Sequence, residues 1–164
     1  MKALRSCPLF AGMSEIEIDL TLGNISYQLV SLPSHEVYAL AGMPCKYVDI
    51  VVSGKLICRM AALSGKQVEV SRLHSGNMVA PAFIFSKDRS LPVSVETDGK
   101  VQLFRMRPEE LKRLIELDET LRMNYIRILS NIDVFLTQKM KVLSLFTVRE
   151  KVAYLLMERA GEQG

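Results

Sequence analysis

Three thiols and two imidazoles are the side chains of this 164-residue chain best suited to nucleophilic or metal chemistry, and their spacing argues against both. Cys7, Cys45 and Cys58 form an odd set without a CxxC pair. A cysteine-held iron–sulfur cluster wants four thiolates, some of them close in sequence, so this chain is short of ligands for one. His35 and His74 stand far apart, so no HxH or HExxH pair seeds a protein-only metal site. A cupin-type enzyme needs a His-rich cluster, and a hydrolase needs a Ser-His-Asp or paired-carboxylate arrangement; neither pattern is visible, and the chain reads as a non-enzyme. Cys7 stands before Pro8-Leu9-Phe10 with only Arg5 as a basic neighbour, which reads as a free thiol without redox work.

Composition narrows the class further. With 49% hydrophobic and 24% charged residues the chain has the make-up of an ordinary globular domain with one core. No apolar run approaches the ~20 residues that cross a bilayer, and no N-terminal stretch reads as a signal peptide. Together with the unpaired thiols this predicts a cytoplasmic protein. Twenty-one Lys plus Arg against eighteen Asp plus Glu leave a net charge of +3, too small for a chain whose own business is nucleic acid.

The elements that must position any site follow from periodicity. Ser14, with Glu17 three residues on, forms a capping box for a helix over 14–22. From about 25 to 106 the pattern is strand-like, with Val48, Ile50 and Val52, then Leu56, Cys58 and Met60, alternating. Turn signals at Leu32-Pro33-Ser34, Gly42-Met43-Pro44, Ser53-Gly54, Ser64-Gly65-Lys66, Ser75-Gly76-Asn77, Lys87-Asp88 and Asp98-Gly99 recur every ~8 to 12 residues, which predicts eight or so short strands in a jelly roll. Pro108 opens a helix carrying Leu111, Leu114, Ile115 and Leu117.

Asp118 to Ser144 is free of Gly and Pro, enough for one helix of roughly 40 Å. Two apolar stripes run along it. Leu121, Tyr125, Ile128, Ile132, Phe135 and Val142 follow a four-three repeat broken only at Lys139, which predicts a two-stranded coiled-coil seam. Ile126, Leu129, Leu136, Met140 and Leu143, interrupted by Asp133, form a second stripe expected to pack on the β domain. The alternative is a single helix seated in a broad groove of its own chain. Thr147 with Glu150 makes a further capping box, leading into a terminal amphipathic helix that ends near Gly161.

An N-terminal helix, many short strands, a long helix and the run Thr147 to Ala160 (TVREKVAYLLMERA) resemble, over essentially the whole chain, the front of a Crp/Fnr-type transcription regulator. The resemblance implies a mainly β fold with helices, a cyclic-nucleotide-binding-like double-stranded β-helix followed by a long dimerisation helix. It places a sensor domain with flanking helices at 1–117, the dimerisation helix at 118–146 and the start of a truncated DNA-binding domain at 147–164. The expected partners are a second copy of the chain, and DNA only through a helix-turn-helix beyond Gly164; no membrane is expected.

In nucleotide-binding relatives the stretch equivalent to 76–96 is a phosphate-binding cassette, with a Phe-Gly-Glu run for the ribose and an Arg-Ser pair for the phosphate. Here Val79-Ala80-Pro81 stands at the first position, and Pro81 has neither a carboxylate nor a backbone N–H. Arg89 and Ser90 match the second in type, at shortened spacing. Cyclic nucleotide is therefore not expected, though it stays open as an alternative effector.

The run Ala80-Pro81-Ala82-Phe83-Ile84-Phe85, followed by Leu91-Pro92-Val93-Ser94-Val95, is similar to the HcpR subgroup of nitrosative-stress regulators. That resemblance implies a response to nitric oxide or nitrite and haem as cofactor. Phe83 and Phe85 are then the apolar lining of the cofactor site, and Met140, on the second stripe of the long helix, is the preferred iron ligand, with His74 as the other candidate. The haem is expected between the β domain and the long helix, near the junction to the output element. The plainer readings are that Phe83 and Phe85 fill the core, Met140 fills a gap, His74 is an exposed turn residue, and the chain is a dimeric scaffold without ligand.

Overall fold

Among residues 2–145 and 148–163, which the computed structural model describes, the elements run α1 (Lys2–Arg5), α2 (Glu15–Leu22), β1 (Tyr27–Leu32), β2 (Val37–Ala39), β3 (Val48–Ala61), β4 (Gln67–Leu73), β5 (Ser94–Met106), α3 (Pro108–Leu117), α4 (Glu119–Leu145) and α5 (Val148–Gln163). The strands are antiparallel in the order β1-β5-β3-β4, with β2 also on β5. The fold is the expected one, mainly β with flanking helices and a long helix after the sheet. Its chemistry at the helix ends also follows the sequence. Ser14 Oγ accepts from the Glu17 N–H at 3.2 Å while Glu17 accepts from the Ser14 N–H at 3.4 Å. Asp118 is extended and its carboxylate accepts from the Leu121 N–H at 3.0 Å, so it ends α3 and caps α4. The capping box at Thr147 lies outside the described residues.

The strands are fewer and longer than the turn signals predict. Ser53-Gly54 and Asp98-Gly99 do not reverse the chain; they lie inside β3 and β5, and the β3–β5 register slips at Val51/Ser53 and Ser53/Lys55. Gly54 has φ of 85°, and a Cβ there would run into the Lys100 carbonyl and Val101. A bulge at a glycine has the same composition as a turn. The second layer is reduced to single bridges, Pro44 with Ser90 and Ile50 with Met78. Nor does β3 alternate as expected: Val48 through Val51 are all buried, because this central stretch is covered on both faces.

Val51, Leu56, Cys58, Val79, Val95, Val101 and Leu103 form one core cluster, with Tyr38 and Ala80 packed against it. Asp49 enters this apolar strand at 0% exposure. Directly across the ladder, Arg105 donates to it twice, from Nε at 2.8 Å and from a terminal nitrogen at 2.9 Å, and the Tyr38 hydroxyl donates to it from β2. The Tyr47 ring lies 4.2 Å from the guanidinium on its open side. Burial, then the Asp49 charge, drives the Tyr38 hydroxyl far above its ordinary range, so it remains a donor.

The chain divides after Ile128 into two compact units. The first ten residues of α4 fall in the first unit, where Leu121, Asn124 and Tyr125 are buried.

Removing one member of a buried, hydrogen-bonded charge pair strands the other. Arg105→Met is expected to lower stability by about 3–5 kcal/mol in urea unfolding, and adding Asp49→Leu to restore most of the loss. A loss under about 1 kcal/mol for the single variant would mean that the pair does not hold the sheet.

Candidate functional site

The segment between β4 and β5 is built from its first turn onward. The His74 N–H donates to Asn77 Oδ1 at 2.8 Å, Ser75 Oγ donates to the Val52 carbonyl at 2.8 Å, and the Gly76 N–H donates to the Val51 carbonyl at 2.7 Å. Gly76 has φ of 91°, and any Cβ there would strike Ser6. The Val79 N–H then donates to the Asp49 carbonyl at 2.9 Å, which seats Met78 and Val79 in the interior. Ala80 is left-handed, with φ of 44°, and sends the chain into a single 3-10 turn, Pro81–Phe83. Ile84 is fully buried, Phe83 half-buried and Phe85 43% exposed.

Helix α4 closes over this turn. The Tyr125 hydroxyl donates to the Pro81 carbonyl at 2.7 Å, and its ring meets Phe85 edge-on at 5.9 Å. Burial pushes the Tyr125 hydroxyl up to about 12, so it stays a donor at neutral pH. Beyond Phe85 two backbone donors are already committed. The Ser90 N–H donates to Asp88 Oδ1 at 2.9 Å, and the Leu91 N–H donates to the Met43 carbonyl at 2.9 Å. These bonds from Ser90 hold the Asp88 carboxyl below its usual range. Arg89 and Ser90 themselves are exposed. A phosphate approaching this pair meets a carboxylate on the amide it would need.

Two cavities adjoin the segment. One of about 200 Å³ is lined by Tyr38, Met43, Cys45, Val79, Leu91 and Arg105 among others. The other, about 300 Å³, is lined by Val37, Leu40, Arg59, Ser94, Val95 and Glu96 among others. Neither is lined by His74, Phe83, Phe85 or Met140. His74 sits in an exposed turn of the first unit, while Met140 is 66% exposed on the part of α4 that belongs to the second.

The two stripes of α4 differ from expectation in which one is covered. Leu121 and Tyr125, expected in a seam between copies, are buried in the first unit, and Ile128 and Ile132 are half-buried. Ile126, Leu136, Met140 and Leu143, expected to pack on the β domain, are exposed, as is Phe135 at 57%. Both stripes are equally apolar, so periodicity cannot choose between them. Polar anchors do: Tyr125 finds the Pro81 carbonyl, and Asn124 Nδ2 donates to the carbonyls of Leu9 and Ala11, each at 2.9 Å. Asn124, Tyr38, Asp49 and Arg105 were not singled out by sequence reasoning. The one available signal was Asp49 itself, a charge inside an apolar strand that requires a buried partner.

Residues 29–118 match the cyclic nucleotide-binding domain family. No curated protein sequence matches the chain. Among solved structures, a transcriptional regulator of Thermotoga maritima superposes with a TM-score of 0.71 at 19% identity, covering 79% of this chain and 98% of that one. The Catabolite Activator Protein of Thermus thermophilus superposes with 0.73 at 20% identity over 84% of this chain and 63% of that one, so this chain spans less than two thirds of that protein. The sensor domain of the transcriptional regulator DNR from Pseudomonas aeruginosa gives 0.67 at 20% identity, covering 90% and 93%. At such identities the likeness speaks for the fold.

All three thiols are buried, and burial raises each of them; Cys7 is pushed up to about 11. Cys7 thus stays protonated in the folded chain at a pH where the unfolded chain holds a thiolate. Its contribution is complete below pH 9 and is lost as pH rises toward 11, a fall of up to about 2–3 kcal/mol. Urea unfolding at pH 8, 9.5 and 10.5 is expected to show that decline, and Cys7→Ala to make it shallower, the other buried thiols and phenols keeping their own share. Equal slopes for the two chains would contradict the assignment.

Proposed function

The chain belongs to the cyclic nucleotide-binding domain family, and from that premise we propose that it is the effector-sensing and dimerisation part of a Crp/Fnr-type transcription regulator whose effector is an apolar small molecule rather than a cyclic nucleotide. The observation that carries this is the Asp88 carboxylate on the Ser90 amide, beside a segment whose other nucleotide-facing position is Pro81. A cyclic phosphate finds the Ser90 amide taken and meets the like charge of Asp88, which leaves it the exposed Arg89 side chain alone of that pair. DNA contact, in this reading, belongs to a helix-turn-helix of the intact regulator. Among the described residues no helix is long and apolar enough to cross a membrane.

The finer reading is a haem-dependent nitrosative-stress regulator of the HcpR type. It is supported by the likeness of Ala80–Phe85 and Leu91–Val95 to that subgroup, by the exposed imidazole of His74 and thioether of Met140, and by the partly open rings of Phe83 and Phe85. Haem, when bound, supplies an iron that takes up nitric oxide. His74 or Met140 would be the donor that holds it. A macrocycle exceeds both cavities described above, so the cofactor would rest on the open aromatic surface.

For homodimerisation the reading favours the exposed part of α4. Leu136 and Leu143, seven residues apart on one face, leave an apolar ridge uncovered in a single chain with Phe135 exposed at its flank, and a second copy of the same helix would cover such a ridge by knobs-into-holes packing. Leu121 and Tyr125 serve their own chain and only flank this contact.

Calorimetry is expected to give no binding of cyclic AMP or cyclic GMP below about 1 mM, a ceiling of about 4 kcal/mol, whereas haem titration gives a Soret band that shifts with nitric oxide and weakens in His74→Ala or Met140→Leu. Micromolar nucleotide affinity would overturn the effector class; an unaltered spectrum in both variants would remove these two ligands. Phe135→Glu places charge on the ridge and is expected to give a folded monomer in sedimentation, whereas Tyr125→Glu unfolds the first unit. An unchanged dimer for Phe135→Glu would move the interface elsewhere.

A further inference from the structure

Tyr125 is 6% exposed, and a phenol hidden to that degree must find an acceptor for its hydroxyl. The acceptor it takes is the carbonyl of Pro81, at 2.7 Å, in the middle of the segment that stands where relatives grip their effector. That carbonyl is aimed by Ala80, whose φ of 44° is rarely adopted by a side chain of this kind and persists only because its surroundings hold it. Phe85, four residues on from Pro81, packs its ring on the same tyrosine, 5.9 Å apart at 88°.

The neighbouring residue of α4 makes a second tie. Asn124 donates from Nδ2 to Leu9 and Ala11, and the same N-terminal stretch, through Ser6, is the wall that leaves no room for a Cβ on Gly76. One turn of the helix therefore grips the segment in two places, at Pro81 and Phe85 directly and at Gly76 through residues 6–11. All these groups lie within the first unit.

We propose that Tyr125 is the positioning residue that couples the 80–85 segment to α4: a ligand that displaces Pro81 or Phe85 must either carry the helix with it or break a buried hydroxyl–carbonyl bond. The two arrangements, bond made and bond broken, are the two states between which an effector discriminates. The inference rests on the reading of this chain as a sensor, and it adds the residue that passes the displacement on.

Hydrogen exchange on the full chain, without any effector, tests the coupling. Tyr125→Phe keeps the ring and its contact with Phe85 and removes only the hydroxyl. It is expected to speed amide exchange over 79–86 and 119–128 by at least about fivefold while the β3 and β5 amides keep their rates. Ala80→Gly relaxes the left-handed residue, and is expected to change exchange over 119–128 by about twofold or more in the tyrosine chain and not in the Tyr125→Phe background. Unchanged exchange over 79–86 in Tyr125→Phe, a uniform rise that includes β3, or an Ala80→Gly effect on 119–128 that survives loss of the hydroxyl would each overturn the proposal. The sensor reading stands or falls separately, on the nucleotide and haem titrations.

Discussion

A carboxylate with no access to water governs this domain. Asp49 has to be paired wherever it is buried, and its pairing reaches three other parts of the chain at once. Its side chain takes Arg105 of β5 and Tyr38 of β2, and its main-chain carbonyl takes the amide of Val79 at the entrance to the 76–95 segment. Register across β3 and β5, the docking of the short strand β2, and the point at which the segment enters the core are consequently set by one residue. A shift of β3 by one position would carry the carboxylate to the other face of the sheet and leave a guanidinium and a phenol without it.

What that frame holds in place is a segment that has exchanged polar function for apolar shape. Three of its backbone donors are spent on its own chain, on Asp88, Met43 and Asp49, and its bulky side chains divide between the interior, where Ile84 lies, and the surface beneath α4, where Phe85 meets Tyr125. A sensor of this build has little to offer an anion through its main chain. In the proposed reading its selectivity rests on ring surface and on whichever soft donor the ligand requires, and its answer to binding runs through the Tyr125 phenol.

The sequence was legible where a residue's local role and its tertiary role coincide. Ser14 with Glu17, Pro108, the reversal at Ser64-Gly65 and the long Gly- and Pro-free run all act within a few residues of themselves, and each stands where its chemistry requires. Gly54 and Gly99 were ambiguous because a positive φ serves a bulge as well as a turn, and only the strand across the ladder decides between them. The faces of α4 were ambiguous for a different reason: two apolar stripes of similar strength leave the choice to polar groups that pair 44 and more than a hundred residues away. The candidate site suffers most, since donor type points to His74 and donor type with stripe position to Met140, while the spacing of Tyr125 suits a seam and Asn124 offers no pattern at all.

The reach of Asn124 has a bearing on how the chain comes into being. Its amide closes on carbonyls 115 and 113 residues upstream, so those two carbonyls are left without this hydrogen-bonding partner until the opening turns of α4 have been synthesised. At ordinary elongation rates that wait is on the order of ten seconds, during which the carbonyls of Leu9 and Ala11 lack their buried donor. Completion of the β domain is thereby deferred to the emergence of the helix through which it is proposed to signal.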